Sequence, residues 1–207
     1  MFHVKHSQLP PINVSRETEE RLRVYADAIQ RWNNTINLVS KADLGHLWQR
    51  HILDSLQILP LLPSTLEGAI DLGSGGGLPA LVLAIASGVH FHLIESDARK
   101  CAFLREAIRA THAPATVHNV RIESARIPPA HLVTARALAP LPQLLQFAHP
   151  FCAPDGIFLF PKGRNAAAEL TEAQARWHMD VECFTSTTDP SATIFRLSNV
   201  APKELGS

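Results

Sequence analysis

Residues 69–85 read AIDLGSGGGLPALVLAI. A short apolar run interrupted only by Asp71 enters four glycines within five positions, Gly73, Gly75, Gly76 and Gly77, and leaves through Leu78 and Pro79 into a second apolar run. A brief apolar stretch bounded by glycine reads as a buried strand, and proline is tolerated in the first turn of a helix. Glycine adopts backbone conformations closed to other residues, so such a turn lets main chain approach a ligand closely. The alternative is a turn that serves packing alone.

Downstream the same alternation repeats. VHFHLIES is a strand and DARKCAFLREAIRAT a helix; ATVHN and LVTARAL are strands, followed by a helix near residues 141–148. DGIFLFPKG reads as a strand and AAAELTEAQARW as a helix, and VECFT and ATIFRLS close as an antiparallel pair around the TDP turn. Alternating strands and helices imply a parallel sheet covered on both faces, here with an antiparallel edge pair. Upstream, residues 1–13 read as a loosely held arm. Ser15 caps a helix reaching about Asn33, with Leu22, Tyr25, Ile29 and Trp32 at helical spacing. A second helix is expected from Asp43 to Leu59, with Leu44, Leu47, Trp48, Ile52 and Leu56 as its apolar face. On it Arg50, His51 and Asp54 form either a polar face with a local ion pair or a wall leaning over the ligand site. The organisation is thus an arm and helical extension over residues 1–64 and one α/β core over residues 65–207.

Ligands of open α/β sheets lie at the carboxyl ends of the strands. The dinucleotide fingerprint G-x-G-x-x-G would place its third glycine at position 78, which is Leu78. Asp71 before the turn is a poor neighbour for a pyrophosphate and a good one for an ammonium or a water bound to one. Glu95, ending the next strand, suits two ribose hydroxyls. A nucleoside carrying an amino acid, S-adenosylmethionine, satisfies all three features.

Composition narrows the partners. Nineteen basic residues balance nineteen acidic ones, so no global field draws in nucleic acid, and an RNA surface must be a local patch. Three separated cysteines suit buried thiols of a cytoplasmic protein. No apolar run approaches a membrane span, and the start lacks the apolar segment of a signal peptide. HVKH and HFH lack the further ligands of a zinc site, so no metal is expected.

The segments RWNNTINLVS, RHILDSL, DLGSGGGLP, ESDARKCAFLRE, VHNVRIE, TARALAPL and FPKGR occur in this order. Together they resemble the bacterial 16S ribosomal RNA guanine-N7 methyltransferases, the glucose-inhibited division protein B family, from about Ser15 to Leu197. Two positions depart from the family: Leu78 stands where members usually carry an aromatic residue, and Ala80 where many carry glycine. The resemblance implies a class I, Rossmann-like S-adenosylmethionine-dependent methyltransferase fold with an N-terminal helical extension. It implies cofactor contacts at Gly73, Leu78, Ile122, Glu123 and Arg136, and a substrate, 16S rRNA in a structured small-subunit particle, methylated at guanine 527.

The residues after the fourth strand of the core agree with that chemistry. Thr134-Ala135-Arg136-Ala137 supplies neither the [DN]-P-P-[YF] acceptors that orient an exocyclic amine nor a cysteine nucleophile. Guanine N7 needs neither, because its lone pair is already free. Arg136 is the candidate catalytic-site residue; it faces the methionine carboxylate, an RNA phosphate or guanine O6, or else forms a structural ion pair. Arg121, Lys162 and Arg164 are candidates for a local RNA-binding patch, whereas Arg126 reads as an ordinary solvated charge. Two other readings remain open: a small-molecule methyltransferase with the helical extension as a lid, and a non-catalytic RNA or ribosome-assembly protein.

Overall fold

A computed structural model of the chain describes residues 4–203. In chain order the elements are β1 (Val4–Ser7), α1 (Arg16–Trp32), α2 (Asp54–Leu56), β2 (Gly68–Leu72), α3 (Ala80–Ser87), β3 (His90–Glu95), α4 (Ala98–Thr111), β4 (Ala115–Asn119), β5 (Ala130–Thr134), α5 (Leu141–Ala148), β6 (Cys152–Lys162), α6 (Ala166–Arg176), β7 (Trp177–Thr185) and β8 (Thr193–Pro202). The expected alternation is therefore present.

All eight strands form one sheet in the order β1-β7-β8-β6-β5-β2-β3-β4. The β5, β2, β3 and β4 neighbours are parallel, as are β5 and β6. Strand residues send alternate side chains to opposite faces. In β6, Ile157 and Leu159 join a core with α1, α3 and α4, whereas Phe158 and Phe160 join a core with α5 and α6. Helix α3 lies deep in the first core: every residue from Ala80 to Ile85 is buried, and Gly88 ends the helix at φ +75°. Chain order runs from β2 outward to β4 and from β5 outward in the opposite direction. The reversal between β2 and β5 opens the crevice in which such sheets bind ligands, and it places the site at their carboxyl ends.

Three expectations change. The antiparallel pair forms, but β8 is inserted between β6 and β7 and bonds to both. The arm is also partly ordered: Val4–Ser7 pairs parallel to β7 and covers an edge that would otherwise expose unpaired backbone. His3 of HVKH lies outside the described residues. Finally, the single helix expected over 43–59 is broken. A 3-10 segment, Lys41–His46, leads to a π-type turn, Trp48–Leu53, that runs into α2. Gly45 weakens the helical preference at the start, and Pro60 prevents continuation at the end. Leu47, Ile52 and Leu56 are still buried, because both winding patterns return them to the same side. Among the described residues no helix is long and apolar enough to cross a membrane, and no group of three His, Cys, Asp or Glu is placed to hold a metal ion.

Candidate active site

The glycine turn takes its shape from positive φ at Gly73 (+63°), Gly75 (+56°) and Gly77 (+82°). Space is as restrictive as conformation: a Cβ on Gly77 would lie 2.8 Å from Leu81 Cδ1 and 2.9 Å from the Tyr25 hydroxyl. That hydroxyl donates to the carbonyl of Gly76. Tyr25 is fully buried, and burial pushes its phenol far above the usual range, so it stays a donor. By sequence it is one apolar position on α1; in the fold it ties the N-terminal extension to the turn. Asn33 makes a second tie. Its Oδ1 accepts from the backbone N–H groups of Leu38 and Val39 at 2.8 and 2.9 Å, and its Nδ2 donates to the Val39 carbonyl at 3.1 Å. The loop so folded seats Leu38 against Gly76.

Two cavities meet at the carboxyl ends of β2 and β5, and Ala137 and Leu138 line both. The smaller, about 370 Å³, is lined by Gly73, Glu95, Lys100, Arg121, Ile122 and Glu123 among others. The larger, about 920 Å³, is lined by His51 and Asp54 from the extension and by Arg136, Lys162 and Thr188 from the core. Four of the residues expected around a cofactor, Gly73, Glu95, Ile122 and Glu123, are therefore brought together. Leu78 is buried in the core beside α3, and Arg136 faces the larger cavity. Arg121, expected at an RNA patch, stands at the smaller cavity instead.

Glu95 holds the floor of the smaller cavity. Its Oε2 accepts from Gly75 N–H at 2.9 Å and its Oε1 from Asp97 N–H at 2.8 Å. Each carboxylate oxygen keeps a further lone pair for a ligand hydroxyl. Beneath the turn, Asp71 is 1% exposed. Its Oδ1 accepts from the Thr134 hydroxyl at 2.6 Å, and its Oδ2 is buried without a partner. Burial raises the Asp71 pKa to about 7, opposed by the hydroxyls of Thr134 and Ser74 and by the positive charge of Arg136. A buried orphan acceptor is costly, and a cationic or hydrogen-bonding ligand group would satisfy it.

The larger cavity contains a linked set of charges. Arg136 Nη1 lies 3.3 Å from Asp54 Oδ2, and Nη2 donates to His51 Nδ1 at 3.1 Å. That bond places the remaining imidazole proton on Nε2, which is 3.5 Å from Asp43 Oδ2. Burial, then the neighbouring Arg136 charge, lowers the His51 pKa, so the ring is neutral at neutral pH. The π-type turn brings His51 and Asp54 to this wall, in keeping with the frequent placement of such turns at functional sites. Arg50, His51 and Asp54 of the extension line the larger cavity, and Arg50 also makes a local ion pair with Asp43 at 2.7 Å.

Lys162 is not free for RNA. Its ammonium is nearly buried, pairs with Glu169 at 2.8 Å and donates to the Ala139 carbonyl at 2.7 Å. Glu169 also accepts from Leu141 N–H at 2.8 Å, so the two side chains fasten the loop after Arg136. Arg164, two residues on, is exposed. Arg126 donates to the carbonyls of Glu123 and Ala125.

Sheet order, glycine turn and acidic strand end define a class I methyltransferase fold. An O-methyltransferase from Bacillus cereus, solved in complex with SAH, has the same fold at 14% identity, with a TM-score of 0.55 over 90% of this chain and 92% of that one. The family described as rRNA small subunit methyltransferase G matches residues 18–193. A ribosomal RNA small subunit methyltransferase G of Granulibacter bethesdensis is 51% identical, covering 97% of this chain and 99% of its own. One of Rhodospirillum centenum is 55% identical over 92% of this chain and 88% of its own. The chain belongs to the rRNA small subunit methyltransferase G family.

Proposed function

We propose that this protein transfers a methyl group from S-adenosylmethionine to N7 of a guanine in 16S rRNA, guanine 527 by the family resemblance, within a structured small-subunit particle in the bacterial cytoplasm. The observation that carries the reading is the pair of cavities sharing the wall at Ala137 and Leu138, one suited to a nucleoside and the other open to a base. Residues 1–64 serve as an extension that closes the second cavity over the core of residues 65–207.

The cofactor fits the residues present. Glu95 would hold the ribose, Ile122 and Glu123 the adenine, and the orphan Oδ2 of Asp71 would meet the ammonium or a water bound to it. When bound, the cofactor supplies an electrophilic methyl on a sulfonium. The chain's own part is placement. His51 cannot serve as a general base: its Nδ1 is engaged by Arg136, and its Nε2 holds the proton. Guanine N7 requires none, so in-line positioning by the cavity walls suffices. Arg164, exposed two residues beyond Lys162, would meet an RNA phosphate.

Methyl transfer from labelled cofactor tests the reading against small-subunit particles, naked 16S rRNA and a metabolite mixture. Label recovered as 7-methylguanosine from rRNA is the expected result. Label only in a metabolite would favour the small-molecule enzyme, and RNA binding without transfer would favour the assembly protein.

Asp71 gives this reading a pH signature. A carboxyl raised to about 7 is protonated in the folded protein where it would be ionised unfolded, so its contribution to stability falls as pH rises from about 4 to about 7. A bound ammonium favours the ionised form. Cofactor affinity should therefore rise about fivefold from pH 6 to pH 7, below the range of about 7.7–8.0 where an α-amino group itself loses its proton. Calorimetry in buffers of different ionisation heat should show proton release, and Asp71→Asn should remove it. A level affinity across that range in the unaltered protein would place the ammonium elsewhere.

A further inference from the structure

We propose that Asp54 and Arg136 together read the O6 and N1–H positions of the target base, making Asp54 a specificity-determining residue. The proposal rests on the N7 reading above. A donor and an acceptor stand side by side on the wall of the larger cavity, Arg136 Nη1 and Asp54 Oδ2, 3.3 Å apart, with only 19% and 18% of their side chains exposed. Guanine presents the complementary pair, the O6 acceptor beside the N1–H donor. Adenine presents the reverse, an amino donor beside an N1 acceptor, so both contacts would oppose it.

The hydrogen bonds already made decide which atoms take part. Asp54 Oδ1 is filled: it accepts from Gln57 Nε2 at 2.8 Å and from the Thr188 hydroxyl at 2.7 Å. The Thr188 bond joins the extension to the turn between β7 and β8, and the two bonds together fix the carboxylate. Oδ2 has only the long contact to Arg136 and keeps a lone pair for N1–H. The exocyclic 2-amino group of guanine therefore has no oxygen left on Asp54. Contact on the N1 side of O6 also leaves N7 unobstructed, which the common bidentate arginine pairing to O6 and N7 would not.

Single-turnover methylation of RNA bearing base analogues at the target position tests this. Inosine keeps O6, N1–H and N7 and lacks the 2-amino group; it should react within about threefold of guanine. 2-Aminopurine keeps N7 and the amino group but lacks O6 and N1–H; it should react about 100-fold more slowly. In Asp54→Asn an amide NH₂ directed at the base suits the N1 acceptor of 2-aminopurine, so the guanine preference should fall at least about tenfold. A thermal midpoint close to that of the unaltered protein would show that the variant is folded. An unchanged preference in a folded Asp54→Asn protein, or inosine as poor as 2-aminopurine, overturns the proposal. Failure of the N7 reading is a separate outcome, namely no transfer to guanine RNA by the unaltered protein, or label recovered on an atom other than N7.

Discussion

Glu95→Ala weakens S-adenosylmethionine binding by about 100-fold or more, because one side chain shapes the turn and meets the ligand. Its two oxygens accept the backbone N–H groups of Gly75 and Asp97. Hydrogen bonds to a charged group contribute roughly 1.5–3 kcal/mol each, and every 1.4 kcal/mol is about a tenfold change in affinity. Alanine removes both ties and the acceptor for the ribose together. Glu95→Gln separates the two roles: its single oxygen can keep one backbone tie, while its NH₂ faces the other N–H. It should fall between alanine and the unaltered protein. Calorimetry measures both variants. A dissociation constant for Glu95→Ala within about threefold of the unaltered value would mean that the ribose lies elsewhere.

The strand, glycine turn and helix were legible because every element of that unit is local. The apolar run gives the strand, positive φ demands glycine, and the departure at Leu78 separates the turn from a dinucleotide site. Glu95 was legible for the same reason, since the residue ending the neighbouring parallel strand faces the same crevice. What escaped the sequence depends on distant partners. Tyr25 occupies an ordinary apolar position until the fold brings Gly76 against its hydroxyl. Lys162 looks like a free basic residue in FPKGR, and only the packing of α6 shows that Glu169 neutralises it. The four residues of β1 carry no strand pattern of their own; their partner is β7, near the other end of the chain. The break in residues 43–59 was hidden because apolar spacing is nearly the same for an α-helix and for a chain with one π-type turn. Arg136 fell between these cases. Its type and position marked it as functional, but the choice between ion pair and ligand contact needed Asp54, from a segment whose geometry could not be foreseen.

Replacing the target guanine with 7-deazaguanine should give an RNA that binds and accepts no methyl group. The change exchanges N7 for a C–H and removes the nucleophilic lone pair, while O6 and N1–H, the groups assigned to Arg136 and Asp54, are kept. Binding should therefore stay within about threefold of the guanine RNA. The same chemistry fixes the pH behaviour of the step. A rate limited by a general base follows that base's titration. Here the His51 imidazole facing the larger cavity is held neutral by burial and by Arg136, and the guanidinium occupies its lone pair. Single-turnover rates at saturating cofactor, where the titration of Asp71 no longer affects binding, should accordingly be level across neutral pH. A rate that rises tenfold per pH unit with the guanine RNA would show that a proton must leave before methyl transfer. Methylation of the 7-deaza RNA at the guanine rate would exclude N7 as the reacting atom and direct attention to the exocyclic amine, O6 or the ribose.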